Sequence, residues 1–138
     1  MNFQNYFKNK IALITGSGRG IGLEIAKEYL KHGAKVIAID LNTKRLLNLK
    51  NKHRNNILIK KFDLSNLDNF NSFLKKLPKN FQNINILINN AGMKSAENLV
   101  KTDINNLNNL INFNSIKVIE ISRILINFSL KKNKGKII

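Results

Sequence analysis

The chain lacks cysteine and tryptophan, and it has one proline, two histidines and eight acidic residues among 138. Without a thiol there is no disulfide, no thiolate zinc site and no cysteine nucleophile. The two histidines, His32 and His53, fall at expected surface positions and give a metal site little to build on, so none is predicted. No apolar run approaches the roughly 20 residues of a membrane span. Residues 1–10 lack the apolar core of a signal peptide. These absences predict a cytoplasmic protein with no membrane partner.

Acids are scarce against 24 lysines and arginines, which leaves a net charge of +16. Such an excess raises the question of nucleic acid. Part of the answer is compositional. The chain holds 25 Asn, 20 Lys and 20 Ile, residues that share A/T-rich codons, so a biased genome accounts for the lysines without a partner. Arginine, the usual reader of bases, occurs four times. No stripe of aromatics interleaves with the basic residues, as single-strand binders require. The reading is no specific nucleic-acid partner, with loose, salt-sensitive attraction to polyanions still expected.

What is present is a chain 43% hydrophobic and long enough for one domain with its own core. Its organising stretch is Thr15-Gly16-Ser17-Gly18-Arg19-Gly20-Ile21-Gly22. The apolar run Lys10-Ile11-Ala12-Leu13-Ile14 precedes it. Leu23, Ile25, Ala26, Tyr29 and Leu30 follow it at the spacing of one helix face. Strand, glycine turn and helix in that order suit an anion. Residues without Cβ admit close approach, and the helix presents unpaired N–H groups and the positive end of its dipole.

The pattern then alternates. Strands are predicted at 10–15, 35–39, 57–62 and 84–88, with helices at 20–32, 43–53 and about 67–77, the last capped by Ser65 or Asn66 and closed by Pro78. Residues 93–102 read as a loop. Asp103 caps a long helix to about Lys132 with Leu107, Leu110, Ile111, Val118, Ile121, Leu125 and Phe128 on one stripe. Asn105 to Asn114 could instead be a low-complexity loop, but the leucine spacing favours helix. Gly135 ends that helix, and Lys136-Ile137-Ile138 reads as the start of a fifth strand. The fold class is α/β, with right-handed βαβ units and a parallel sheet.

Ligands of such sheets sit beyond the C-terminal strand ends. Four of those ends carry informative residues: the glycine turn, Asp40, Asp63-Leu64 and Asn89-Asn90-Ala91-Gly92. Asp40, 18 residues after Gly22, is placed to bond both hydroxyls of an adenosine ribose and to repel a 2′-phosphate. Arg19 argues the other way. An unpaired carboxylate facing a phosphate costs more than one solvated arginine gains, so NAD is predicted over NADP.

The common dinucleotide fingerprint G-x-G-x-x-G fails from Gly16, because its last position is Ile21. What fits is T-G-x-x-x-G-x-G, with Gly16, Gly20 and Gly22. Together with Asn-Asn-Ala-Gly at 89–92, this resembles the classical short-chain dehydrogenases/reductases. The resemblance covers about 8–138 and implies a Rossmann-type, doubly wound sheet, in strand order 3-2-1-4 plus the start of a fifth. It implies an NAD(P)-binding domain over 1–138, incomplete at its C-terminus. It also implies hydride transfer between NAD(H) and a small alcohol or carbonyl substrate.

By the same resemblance the cofactor-binding residues are Thr15, Gly16, Ser17, Arg19, Gly20, Ile21, Gly22, Asp40, Asp63, Leu64, Asn89, Asn90, Ala91 and Gly92. Within this set Thr15 braces the turn, and Asp63-Leu64 stands where the family contacts adenine. Asn114 stands where the family has a catalytic asparagine that holds a water in the proton relay. The family also uses a serine at the end of strand five and a Tyr-x-x-x-Lys on the following helix, and this sequence ends before both. Tyr6 and Lys10 have the spacing but precede strand one, so they are rejected. A sheet with strand four near its edge, and a last helix lacking its neighbour, is expected to be marginally stable or to need a homo-oligomer or a complementing chain. The competing reading is a non-catalytic NAD(P)-binding remnant or half of a split enzyme.

Overall fold

The computed structural model describes residues 5–95, 98 and 100–138. Phe3 of the leader, among residues 1–4, and positions 96, 97 and 99 of the expected loop lie outside the described residues. Five strands, β1 (Ile11–Thr15), β2 (Lys35–Asp40), β3 (Ile57–Lys61), β4 (Ile86–Ile88) and β5 (Lys136–Ile137), form one sheet in the order β3-β2-β1-β4-β5. Every pairing is parallel. The central strand β1 is buried along its whole length, as a parallel strand covered on both faces must be.

Alternate strand residues feed two cores, one on each face of the sheet. Ala12, Ile14, Val36, Ala38 and Ile86 pack with Leu23, Ala26 and Leu30 of α1 (Gly20–Lys31) and Leu46 and Leu49 of α2 (Leu46–Lys52). Leu13, Ile37, Ile39 and Leu87 pack on the other face with Phe70 and Leu74 of α3 (Phe70–Lys75) and with Ile121 and Leu125 from the long C-terminal helix. This is the doubly wound Rossmann arrangement. At the end of α1, Gly33 takes φ +87°, and the N–H of Ala34 reaches back to the Tyr29 carbonyl at 3.0 Å. Phe7 stacks on Tyr29 with ring centroids 4.3 Å apart and ties the leader to α1.

Two helices depart from their sequence pattern. α3 starts at Phe70, because Asn66 does not cap it. The Asn66 side chain accepts from the Asp68 N–H at 2.9 Å and forms a local turn instead. The long helix does begin after Asp103, whose carboxylate accepts from the N–H groups of Asn105 and Asn106 at 2.8 and 3.0 Å. It runs as α4 (Ile104–Ile111), a π-helical turn (Asn112–Ile116), α5 (Lys117–Leu125) and a second π-helical turn (Ile126–Leu130). Each π turn adds a residue and rotates the apolar stripe. Ile121 and Leu125 are buried, whereas α4 buries no residue and Ile111 is exposed.

Candidate cofactor cleft

The register brings the C-terminal ends of four strands side by side. Thr15 pairs with Ile39, Asp40 with Lys61, and Ile14 with Ile88. The glycine turn leaves β1 here and is packed tightly on its inner side. A Cβ on Gly16 would stand 2.7 Å from the Ala91 Cα. One on Gly22 would run into the Gly16 carbonyl and the Asn90 amide. Gly20 is the opposite case. It takes φ +54°, and nothing lies within 4 Å of where its Cβ would be. Arg19, at the cap position of α1, gives no side-chain cap, and the first turn holds no acid. The N-terminus of α1 is therefore bare toward open space, which favours an anion.

Behind the turn is a brace of short polar side chains. Thr15 Oγ1 donates to the Ile88 carbonyl at 3.2 Å and accepts from the N–H groups of Asn90 and Ala91, both at 3.0 Å. The Ser17 hydroxyl donates to the Ile39 carbonyl. The Asn90 amide donates to the carbonyls of Thr15 and Gly16 at 3.0 and 2.9 Å. Asn89 donates to the Ser122 hydroxyl at 3.3 Å, and its buried Oδ1 has no partner among the described residues. Thr15, Ser17, Gly22 and Asn89 thus lie behind the cleft, whereas Asn90 both braces and lines it.

The cleft itself measures about 770 Å³. Gly16, Arg19, Gly20 and Ile21 form one side, and Asn90, Ala91 and Gly92 form the floor at β4. Asp40, Asp63 and Leu64 reach it from β2 and β3. Sequence reasoning missed Arg45, Phe62 and Phe113, which also line it. Phe62 and Phe113 also pack against the core, and Arg45 is exposed just before α2, so nothing local marks these three as cleft residues.

Two carboxylates meet the cleft in different states. Asp40 is tied to backbone at both oxygens: Oδ2 accepts from the Gly18 N–H at 2.7 Å, and Oδ1 from the Asn42 N–H at 2.8 Å. Asp63 is exposed and accepts from the Ser65 N–H at 2.9 Å. The backbone and then the side chain of Ser65 hold its carboxyl below the usual aspartate range.

Asn114 sits in the first π turn with its side chain pinned to Met93. Its Oδ1 accepts from the Met93 N–H at 2.8 Å, and its Nδ2 donates to the Met93 carbonyl at 2.7 Å. The widened turn and this double bond hold the long helix against the segment that follows β4. Tyr6 and Lys10 lie before β1, at the opposite end of the sheet.

The short chain dehydrogenase family model matches residues 10–138. An NADP-dependent 3-hydroxy acid dehydrogenase (YdfG) of Escherichia coli O6:H1 is 32% identical over 93% of this chain and 52% of its own length. A probable NADP-dependent dehydrogenase of Haemophilus influenzae is 31% identical over 95% of this chain and 52% of its own. The chain spans about half the length of these curated relatives. Among solved structures, serine dehydrogenase from Escherichia coli superposes with a TM-score of 0.80 at 30% identity, covering 92% of this chain and 59% of that one. The closed form of serine dehydrogenase complexed with NADP+ gives 0.81 at 30% identity, covering 92% of this chain and 52% of that one.

These relatives overturn the expected preference for NAD over NADP. The reading from Asp40 weighed it against one arginine, whereas Arg45 lines the cleft with Arg19, and the Asp40 carboxylate is directed at the Gly18 and Asn42 N–H groups. Matched along nearly its whole length by the family model, and folded like its solved members, this chain belongs to the short-chain dehydrogenase family.

Proposed function

We propose that the cleft binds NADP(H), and that residues 1–138 are the cofactor-binding part of an NADP-dependent short-chain dehydrogenase acting on a small hydroxyl or carbonyl substrate. The observation that carries this reading is the bare N-terminus of α1 beside two arginines. The N–H groups at Gly20 and Ile21 suit a diphosphate. Arg19 and Arg45 offer planar donors for a 2′-phosphate. Phe62 and Leu64 give an apolar wall for an adenine, and Asp40 holds the turn through Gly18. When bound, the nicotinamide supplies the hydride acceptor or donor. Asn114 stays a candidate for holding a water near the reacting end.

The relay serine and Tyr-x-x-x-Lys have no counterpart on the cleft side of this sequence. We assign them to polypeptide outside these 138 residues, either in the same protein or in a complementing chain. A covering neighbour belongs to the same reading, because Ile111 and Ile119 stand 57% and 63% exposed on the long helix.

The test is a titration followed by nicotinamide fluorescence, which the absence of tryptophan leaves free of protein transfer. NADPH is expected to saturate the protein more tightly than NADH. Arg45→Ala and Arg19→Ala are each expected to weaken NADPH about tenfold, the scale of one charged hydrogen bond, and to leave NADH little changed. Absence of binding to either nucleotide would overturn the cofactor reading. Equal or tighter NADH binding would overturn its 2′-phosphate part.

A further inference from the structure

The charges of this chain are sorted by the fold. All four aspartates, Asp40, Asp63, Asp68 and Asp103, lie at the cleft end, after β2, after β3 or at the start of α4. The other end, where parallel strands begin and helices finish, is almost purely basic. Lys10, Lys35 and Lys136 stand where β1, β2 and β5 begin. Lys75 ends α3, with Lys76 and Lys79 after it, and Lys52 ends α2, with Arg54 after it. Lys131, Lys132 and Lys134 follow the last π turn. Among the described residues the acid nearest this end is Glu28, which is already paired with Lys31 at 3.4 Å.

Hydrogen bonds bring several of these positions side by side. The Lys35 N–H bonds the Lys10 carbonyl at 2.9 Å, and its ammonium reaches the Asn80 carbonyl at 3.3 Å. Across β1 and β4, the Asn85 N–H bonds the Ile11 carbonyl, and the Asn85 carbonyl accepts from the Lys136 N–H, both at 2.9 Å. The Asn133 amide bonds the Ile84 carbonyl beside them. Apart from half-buried Lys35, the lysines and the arginine of this end are exposed.

Two simpler accounts fall short. A lysine-rich composition fixes how many cations there are, not that the acids leave one end to them: Arg19, Arg45, Lys60, Lys61 and Lys101 stand at the cleft end too, but there all four aspartates accompany them. Helix dipoles favour cations at helix C-termini, which covers Lys31, Lys75 and Lys132. They do not cover Lys10, Lys35 and Lys136 at strand starts, nor Lys79 and Lys134 in turns.

We propose that this strand-start end is a docking surface for the phosphodiester backbone of nucleic acid, used without regard to base sequence. A five-stranded sheet is about 20 Å wide, and its basic end meets the continuous line of charge that a polynucleotide carries. Lysine point charges suit phosphate, and a single arginine at this end leaves base reading without tools. A membrane surface fits less well. Among the described residues, the large exposed hydrophobics near this end are Tyr6 and Ile137, too few to make an apolar face for a bilayer.

The test uses the whole chain and a fluorescein-labelled 20-nucleotide oligonucleotide of mixed sequence, read by anisotropy across a salt series. Lys75→Gln, Lys79→Gln and Lys132→Gln together are compared with Lys60→Gln, Lys61→Gln and Lys101→Gln together. The second set has the same net charge but lies toward the cleft end. The first set is expected to weaken binding at least tenfold and to lower the salt slope by about 0.7 for each phosphate that is no longer neutralised. The second set is expected to change affinity less than twofold, and saturating NADPH is expected to leave the oligonucleotide bound. Equal losses in the two sets would reduce the effect to net charge and overturn the proposal. So would displacement by NADPH, binding to one base sequence only, or stronger retention on phosphatidylserine vesicles than on the oligonucleotide. Failure here leaves the cofactor reading standing, since the two surfaces lie at opposite ends of the sheet.

Discussion

Asp40 and Gly18 are joined by a 2.7 Å hydrogen bond from the glycine N–H to the carboxylate Oδ2, across the gap between the end of β2 and the turn after β1. The other oxygen holds the Asn42 N–H at 2.8 Å. The acid at this position therefore serves as a clamp on the turn, and each oxygen keeps a second lone pair toward the cleft.

Replacement of Asp40 separates the two roles. Asp40→Ala leaves the part-buried Gly18 N–H without its acceptor and is expected to cost about 1–3 kcal/mol, seen as a lower urea midpoint at unchanged m-value. Asp40→Asn keeps an oxygen for Gly18 and removes the negative charge. Its NH2 then faces the Asn42 N–H, so it is expected to lose that exposed bond, to be less destabilised than Asp40→Ala, and to tighten NADPH a few-fold, by titration of the purified protein. A weaker NADPH complex in Asp40→Asn would show that the carboxylate itself contacts the nucleotide.

The two glycines at the start of α1 are expected to fail differently. Gly22→Ala places a methyl group against the Gly16 carbonyl and the Asn90 amide. That collision is with backbone, so a loss of about 2–3 kcal/mol or failure to fold is expected. Gly20→Ala meets no neighbour and costs only the left-handed backbone, about 1 kcal/mol. Its melting temperature is expected to fall by a few degrees, while nucleotide binding falls much further because the methyl group crowds the bare helix end. Equal damage to stability by both variants would contradict the assignment of Gly20 to the open side.

Asp63 should respond to pH. Its folded-state carboxyl is held below its ordinary range by the backbone and side chain of Ser65, so folding favours the charged form. The stabilisation is present above the ordinary aspartate range and is lost as pH falls through the lowered folded value. The group is exposed, so the effect on stability is small. A carboxyl-detected NMR titration is expected to place Asp63 below an unfolded-state aspartate. Ser65→Gly, which removes the hydroxyl and loosens the turn, is expected to raise it.

Much of this fold is readable from local pattern. The strand after Lys10, the glycine turn and the Asp103 cap are decided by residues within a few positions of one another. The strand order 3-2-1-4-5 comes from the family resemblance, because right-handed βαβ units alone also allow other orders. What local pattern cannot carry is whatever depends on a distant partner. Arg45 looks like a solvated charge until α2 is packed against the sheet and brings it to the cleft. Asp40 looks free until Gly18, 22 positions earlier, is found beside it. The π turns have no hydropathy signature, so Ile111 falls on a predicted buried stripe that the added residues rotate away.

Asn114 offers the sharpest remaining test, because its two bonds to Met93 predict a local effect. Its side chain accepts from the Met93 N–H and donates to the Met93 carbonyl, joining the first π turn to the segment after Gly92. The site is exposed, so Asn114→Ala is expected to cost only about 1 kcal/mol in global stability. The Met93 amide, however, loses its acceptor and is expected to exchange its hydrogen at least tenfold faster, with little change in the β1 and β2 amides. Asn114→Asp keeps an oxygen for the Met93 N–H but sets a carboxylate against the Met93 carbonyl, so partial protection is expected, rising as pH is lowered and the carboxyl takes up a proton. Unchanged exchange at Met93 in both variants would mean that the loop is held by other interactions and that Asn114 is free for a different role. Faster exchange throughout the sheet would instead make it a structural keystone of the long helix.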